Sequence, residues 1–247
     1  MFRKWMCSVG LAWILYGIVG AAMPDASAGE PITLFDGKSL DGWIAREPCA
    51  KSKWTVGLAR LAPDDPRRLT VVAPGTSRGM LVNDATPKPR TKEARTVDLY
   101  TEQTFGDCTI ELDFTVPEGG NSGVYVMGEY EFQVEDNYGQ EDVTFQDLGA
   151  IYKVAAARVN AARKPGEWQS LCIKFQAPRF QNGTKVANGR FVKVVLNGQV
   201  IHENLEVSDV TPGGLTGKEV PAGPLMFQGD HGPVAYRNIR VSVASGK

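Results

Sequence analysis

Two short stretches of this 247-residue chain gather side chains that can move protons. In Gln228-Gly229-Asp230-His231-Gly232-Pro233, one of the chain's two histidines stands beside a carboxylate, between glycines that suit a tight turn. An imidazole titrates near pH 6.5 and an adjacent carboxylate can orient it, so His231 with Asp230 suits a base working near neutral pH. The second stretch, Glu129 to Asn137, follows Gly120-Asn121-Ser122-Gly123-Val124-Tyr125 and alternates Tyr130, Phe132 and Val134 with Glu131, Gln133 and Glu135. If the first three enter a core, the other three line the opposite strand face, a usual place for a sugar in a curved sandwich. A solvated strand face would show the same alternation.

A third group lies between Gly149 and Trp168 and brings together Tyr152, Lys153, Asn160, Arg163 and Trp168. Trp168 could stack on a sugar face and Arg163 could hold a developing oxyanion, while the plain alternative is a surface loop pinned by a half-buried indole. His202, in Val200-Ile201-His202, reads as a strand residue rather than a catalytic one. There is no P-loop, dinucleotide fingerprint, His-Glu-x-x-His helix or Gly-x-Ser-x-Gly elbow. Two histidines leave no basis for a His-rich zinc site, although carboxylates could assemble an oxygen site for a divalent cation.

The elements that must position these groups are short strands. Alternation marks Cys108 to Val116, Tyr130 to Glu135 and Gln169 to Gln176, and further strands are expected at 123–127, 190–196, 200–202 and 235–243. Asn197-Gly198 supplies a two-residue hairpin turn. With 27 Gly and 15 Pro and no long helical periodicity, the fold class is all-β, an antiparallel two-sheet jelly-roll sandwich. Leu112, Phe114, Phe132, Val134, Ile173, Phe175, Val194 and Leu196 should fill its core. Residues 63–89 and 139–165 read as long irregular loops, and the second is a candidate for function.

Residues 1–28 read as a secretory signal peptide: Arg3 and Lys4 precede an apolar run from Trp5 to Ala22, and Ala26-Ser27-Ala28 offers a small-residue cleavage pattern. A membrane anchor fits less well, because Gly10, Gly17 and Gly20 interrupt the run and no basic stop-transfer residues follow. Residues 29–247 then form one domain, secreted or periplasmic, with no membrane contact after cleavage. Losing Arg3, Lys4 and Asp25 takes the 27 basic and 28 acidic residues to 25 and 27, a balance that gives no footing for nucleic acid. Cys49, Cys108 and Cys172 remain, so at most one disulfide can form, and alternation sends Cys108 and Cys172 to opposite strand faces.

The chain resembles the 3-keto-disaccharide hydrolases, a secreted family with a concanavalin-like jelly-roll. The resemblance runs through Leu34 to Trp43, Asp98 to Phe114, Asn121 to Gly139, Gly149 to Tyr152, Asn160 to Gln169, Ala177 to Gly183 and Gln228 to Val241, and departs from the family between Arg60 and Lys92. It implies cleavage of glycosides whose sugar has been oxidised at C3, which makes the C2 proton acidic and allows elimination followed by hydration. It further implies His231 as base oriented by Asp230, Glu131 as acid or alternative base, and Arg163 or Lys153 steadying the enolate. Gln133, Asp136, Tyr152 and Trp168 would bind the sugar, with Arg237 supporting the site. A sugar-oxidising dehydrogenase would act upstream, and a divalent cation could replace a basic side chain as enolate stabiliser. Two other readings stay open: a noncatalytic lectin-like module, and a conventional glycosidase using Glu131 with a second carboxylate such as Asp136.

Overall fold

The computed structural model describes residues 29–88, 91 and 94–243. The expected signal peptide therefore lies outside the described residues. In chain order the strands are β1 (Ile32–Thr33), β2 (Trp43–Ala45), β3 (Trp54–Leu61), β4 (Leu69–Val72), β5 (Met80–Asn83), β6 (Leu99–Phe105), β7 (Cys108–Thr115) and β8 (Asn121–Val126). There follow β9 (Tyr130–Glu135), β10 (Gln169–Gln176), β11 (Arg179–Gln181), β12 (Thr184–Ala187), β13 (Gly189–Leu196), β14 (Gln199–Val207), β15 (Gly223–Phe227) and β16 (Val234–Val243). A single 3-10 turn, Cys49–Lys51, is the one helical element among the described residues.

The strands make two layers. A nine-stranded sheet runs β14-β13-β10-β7-β16-β5-β3-β4 with β1 added beside β16, and a five-stranded sheet runs β2-β6-β15-β8-β9. Strands β11 and β12 form a separate hairpin turning at Asn182-Gly183. The pairs β7–β10, β10–β13 and β8–β9 are antiparallel, as an alternating jelly-roll requires. Asn197 and Gly198, at φ +52° and +82°, turn β13 into β14 as the dipeptide predicts.

The core lies between the layers, and all eight residues expected there belong to it. Its centre is aromatic: Phe227 of the smaller sheet stacks on Tyr236 of the larger at 4.0 Å, and on Trp43 at 5.3 Å. Each such ring withdraws enough apolar surface to contribute roughly 1.5–3 kcal/mol. Cys108 is buried and Cys172 half-buried on the other face, and all three described cysteines are free. Burial pushes the Cys108 thiol up to about 12, which leaves it protonated and unreactive at neutral pH.

The segment expected to be a long loop at 63–89 is corrected by β4 and β5. Strand β5 sits inside the large sheet between β3 and β16. Its residues Leu81, Val82 and Asn83 are all buried. A strand covered on both faces lacks the polar alternation that reveals a half-exposed one. The 139–165 stretch is irregular as expected, with bridges at Ile151 its only ladder contacts.

Candidate active site

The outer face of the five-stranded sheet carries a cavity of about 390 Å3 lined by Tyr125, Glu131, Gln133, Tyr152, Lys153 and His231, with Asn121, Glu135, Gln146, Pro212, Gly213 and Gln228 completing its walls. Strands β8 and β9 form its floor: Tyr125 lies opposite Glu131 and Gly123 opposite Gln133 in the ladder. Tyr130, Phe132 and Val134 enter the core, which forces Glu131, Gln133 and Glu135 outward. A Cβ placed on Gly123 would lie 2.4 Å from Glu131 Oε1, so glycine makes room for the carboxyl. The loop at 149–152 follows the free edge of β9, where Tyr152 N–H donates to Glu131 O at 3.0 Å and Gln133 N–H to Ala150 O at 2.9 Å. That pairing covers the edge and delivers Tyr152 and Lys153 to the cavity. Lys153 takes φ +58°, a left-handed conformation that non-glycine residues adopt mainly where the surroundings require it.

His231 arrives from a distant part of the chain, on the turn between β15 and β16. Two buried side chains fix that turn through three hydrogen bonds. Asn83 Nδ2 donates to Gly229 O at 2.8 Å and to Gly232 O at 2.9 Å, and Asp98 Oδ1 accepts from Gly229 N–H at 2.9 Å. A Cβ at Gly229 would stand 2.0 Å from Val97 O, so no larger residue fits. The opposite wall is tied to the same point: Asp98 Oδ2 accepts from Arg46, whose guanidinium also donates to the carbonyls of Gly213, Gly214 and Leu215 at 3.3 Å each.

The electrostatics differ from residue to residue. His231 Nδ1 donates to Asp230 Oδ1 at 2.5 Å, which leaves Nε2 as the ring nitrogen available for chemistry. The Asp230 hydrogen bond, outweighing burial, raises the His231 pKa above its ordinary 6.5. Burial would raise Asp230, but its bond to His231 and the charges of His231 and Arg95 hold it below the usual carboxylate range. Glu131, 2% exposed, is pushed by burial up to about 8, aided by Asp98 and Asp230 and opposed by Tyr125 and His231. A carboxyl in that state carries its proton at neutral pH and can donate it. Glu135 is also raised, chiefly by burial.

A family model described as 3-keto-alpha-glucoside-1,2-lyase-like domain matches residues 30–242. The chain belongs to this family. A solved structure from Parabacteroides distasonis, provisionally described as a glycosyl hydrolase, is 26% identical with a TM-score of 0.62 over 95% of this chain and 99% of its own. Another from that organism, described in the same way, shares the fold at 16% identity and a TM-score of 0.56, covering 86% of this chain and 93% of its own. A search of curated proteins finds no match. Membership in the 3-keto-alpha-glucoside-1,2-lyase-like family places the chain among carbohydrate-active proteins.

In this member of the family, four residues expected at the site lie elsewhere. Arg163 donates from its backbone to Gln169 Oε1 and from Nη1 to Trp168 O, which turns it away from the cavity. Trp168 packs on a satellite apolar cluster of Ala59, Leu69, Val82 and Ala235, and stacks under the Arg237 guanidinium at 3.9 Å. Arg237 pairs with Asp113 at 3.1 Å and lines a different, larger cleft of about 830 Å3 that includes Glu111, Cys172 and Arg240. That cleft is larger but has no buried carboxyl or imidazole, and two of its arginines pair with carboxylates across strands, Arg237 with Asp113 and Arg240 with Glu111. Asp136 is spent on backbone, accepting from Gly119 N–H at 2.9 Å and Tyr138 N–H at 3.3 Å. His202 is buried with Nε2 2.7 Å from Gly149 O, and burial lowers its pKa.

Sequence reasoning missed Gln146, Gln228, Asp98, Asn83 and Arg46. Gln228 shares a motif with His231 and Asp98 opens one of the matching stretches, so a signal existed for both. Gln146 and Arg46 lie in irregular segments with no pattern to mark them. Among the described residues, no group of three or more His, Cys, Asp or Glu is placed to hold a metal ion.

Proposed function

We propose that this protein, exported by its N-terminal segment to the periplasm or the medium, cleaves 3-keto-glycosides by elimination and hydration. The observation that carries the reading is that a carboxylate-oriented imidazole and a carboxyl kept protonated by burial face one cavity. His231 Nε2 takes the C2 proton of the keto-sugar, and charge moves toward the C3 oxygen as an enolate. The Lys153 ammonium is the cation in the cavity wall that can meet it. The C1–O bond then breaks, C1 and C2 become doubly bonded, and the departing glycosidic oxygen takes the Glu131 proton. Water adds across the double bond, its oxygen to C1 and a proton to C2, so the sum is hydrolysis. Gln133, Tyr152 and the carboxamides of Asn121 and Gln146 supply donors and acceptors for sugar hydroxyls. A sugar-oxidising dehydrogenase would generate the substrate.

The two-carboxylate glycosidase is less well supported. Asp136 does not line the cavity, and Glu135 lies four residues from Glu131 along one strand, roughly 13 Å at the backbone. That path needs carboxyls within about 10 Å. Incubating the protein with a 3-keto-disaccharide and with its unoxidised parent tests the reading. Cleavage of the oxidised sugar alone is expected. Cleavage of both would point to a conventional glycosidase, and binding without cleavage of either to a lectin-like module.

A further inference from the structure

The two carboxyl oxygens of Glu131 are not equivalent. Oε1 is packed inward against Gly123, at the place a Cβ would fill. It also accepts a hydrogen bond from Gln228 Nε2 at 3.2 Å. The same nitrogen lies 3.4 Å from the Tyr125 hydroxyl, which donates its own proton to Pro212 O at 3.2 Å. Two oxygens on one side of the amide identify that end as the nitrogen. The other end, Gln228 Oε1, is buried and has no partner among the described residues. Burying an amide oxygen unpaired is costly, and the arrangement persists because the residue is held from behind. Its N–H donates to Gly123 O at 2.9 Å, and its carbonyl accepts from Ser122 Oγ at 2.7 Å.

We propose that Gln228 is a positioning residue that reserves Oε1 of Glu131 as a hydrogen-bond acceptor, so that the acid proton resides on Oε2. The inference rests on the reading of Glu131 as the acid. An N–H pointed at Oε1 disfavours a proton there, because the carbonyl oxygen of a protonated carboxyl is the stronger acceptor and takes the bond in preference to the hydroxyl. Gly123 and Gln228 would thus fix both the place and the direction of proton delivery, which a freely rotating carboxyl could not do. The charged and titratable groups around Glu131 are Tyr125 on β8, Tyr236 on β16, Asp98 ahead of β6, and Asp230 and His231 on the turn. Glu135 and Lys153 share the cavity.

The test follows the Glu131 carboxyl directly by carbon-13 NMR of protein labelled at glutamate, its signal assigned by loss in Glu131→Gln. Gln228→Leu removes the donor and should move the Glu131 titration midpoint upward by roughly half a unit to one unit. With a 3-keto-disaccharide, kcat should fall about 10- to 100-fold while KM changes less than about threefold. Gln228→Glu can donate the same bond only while protonated, so it should restore turnover on the acid side of the profile and lose it as pH rises. An unmoved midpoint in a folded Gln228→Leu protein would overturn the inference, as would a Gln228→Glu profile identical in shape to the wild type. If wild-type protein cleaves no keto-sugar but the midpoint still moves, the functional reading fails and the role of Gln228 in placing the proton stands.

Discussion

Two clusters of polar residues looked alike in composition, and the fold treats them differently. Around Glu131 and His231, strand pairing and a covered sheet edge bury a carboxyl and a phenol, and the lost solvation raises the pKa values of both. Around Arg163, Trp168 and Arg237, the guanidinium of Arg237 rests on indole and pairs with Asp113, with side chains partly in water. The first cluster stores electrostatic strain that chemistry can use, and the second dissipates it in cross-strand pairs. Desolvation without full neutralisation separates a reactive site from a structural one.

The sharpest way to break this contrast is His231→Ala. The variant should lose about two to four orders of magnitude in kcat/KM toward a 3-keto-disaccharide while its melting temperature holds, because a turn residue carries little core packing. Near-normal cleavage by the folded variant would shift the base to Glu131.

Glu131→Gln should lose about two to three orders of magnitude in kcat, and it should also gain stability. The folded pKa of about 8 lies above the ordinary 4.5 of a glutamate, so the folded state favours the protonated form. Stability present at low pH is therefore lost as pH rises through that range, and the amide, which cannot ionise, escapes the loss. Melting at pH 8 should show the variant more stable by on the order of 1–3 kcal/mol, with no advantage at pH 4. Equal melting at both pH values would mean that Glu131 is ionised without penalty.

The pH profile of kcat/KM sharpens the contrast further. His231 must be neutral, so the rate rises as pH passes its raised pKa, above 6.5. Glu131 must be protonated, so the rate falls above about 8. A narrow bell with roughly tenfold loss per pH unit on each flank is expected. A profile flat from pH 6 to 9 would contradict the pairing of roles.

The smallest effects belong to the other cluster. Arg163→Ala should keep kcat/KM within about threefold of wild type, and Arg237→Ala should cost about 0.5–1.5 kcal/mol of stability through its ring and ion-pair contacts, with activity intact. A hundredfold loss of activity in Arg163→Ala would return that residue to the site.

Legibility in the sequence followed solvent exposure. Strands β7, β9, β10 and β13 have one wet or polar face and announced themselves by alternation. Strand β5 is buried on both faces, and Gly57 opens a gap in the pattern of β3. Strand β15 begins Gly-Pro, a breaker by local rules, yet lies between β6 and β8, where a register shift at Pro224 to Met226 absorbs the missing donor. At the site, residues sharing a strand or turn with a recognisable motif could be found. Arg163 could not be placed, because its direction depends on Gln169 and Trp168, contacts with no periodic trace.

The turn at 228–233 carries the chain from one layer of the sandwich to the other. Glu131 is rooted in the smaller sheet alone, while His231 rides on the bridge, whose start is tied to Gly123 of β8 and to Asp98 beside β6 and whose far end is held by Asn83 of the larger sheet. The spacing between base and acid is therefore a gauge of how the two layers sit on each other. A slight slip of one sheet over the other, too small to expose the core, would pull the two groups out of range. On warming, catalysis should fade several degrees before the cooperative melt, so the enzyme would report loosening of its own interior before it unfolds.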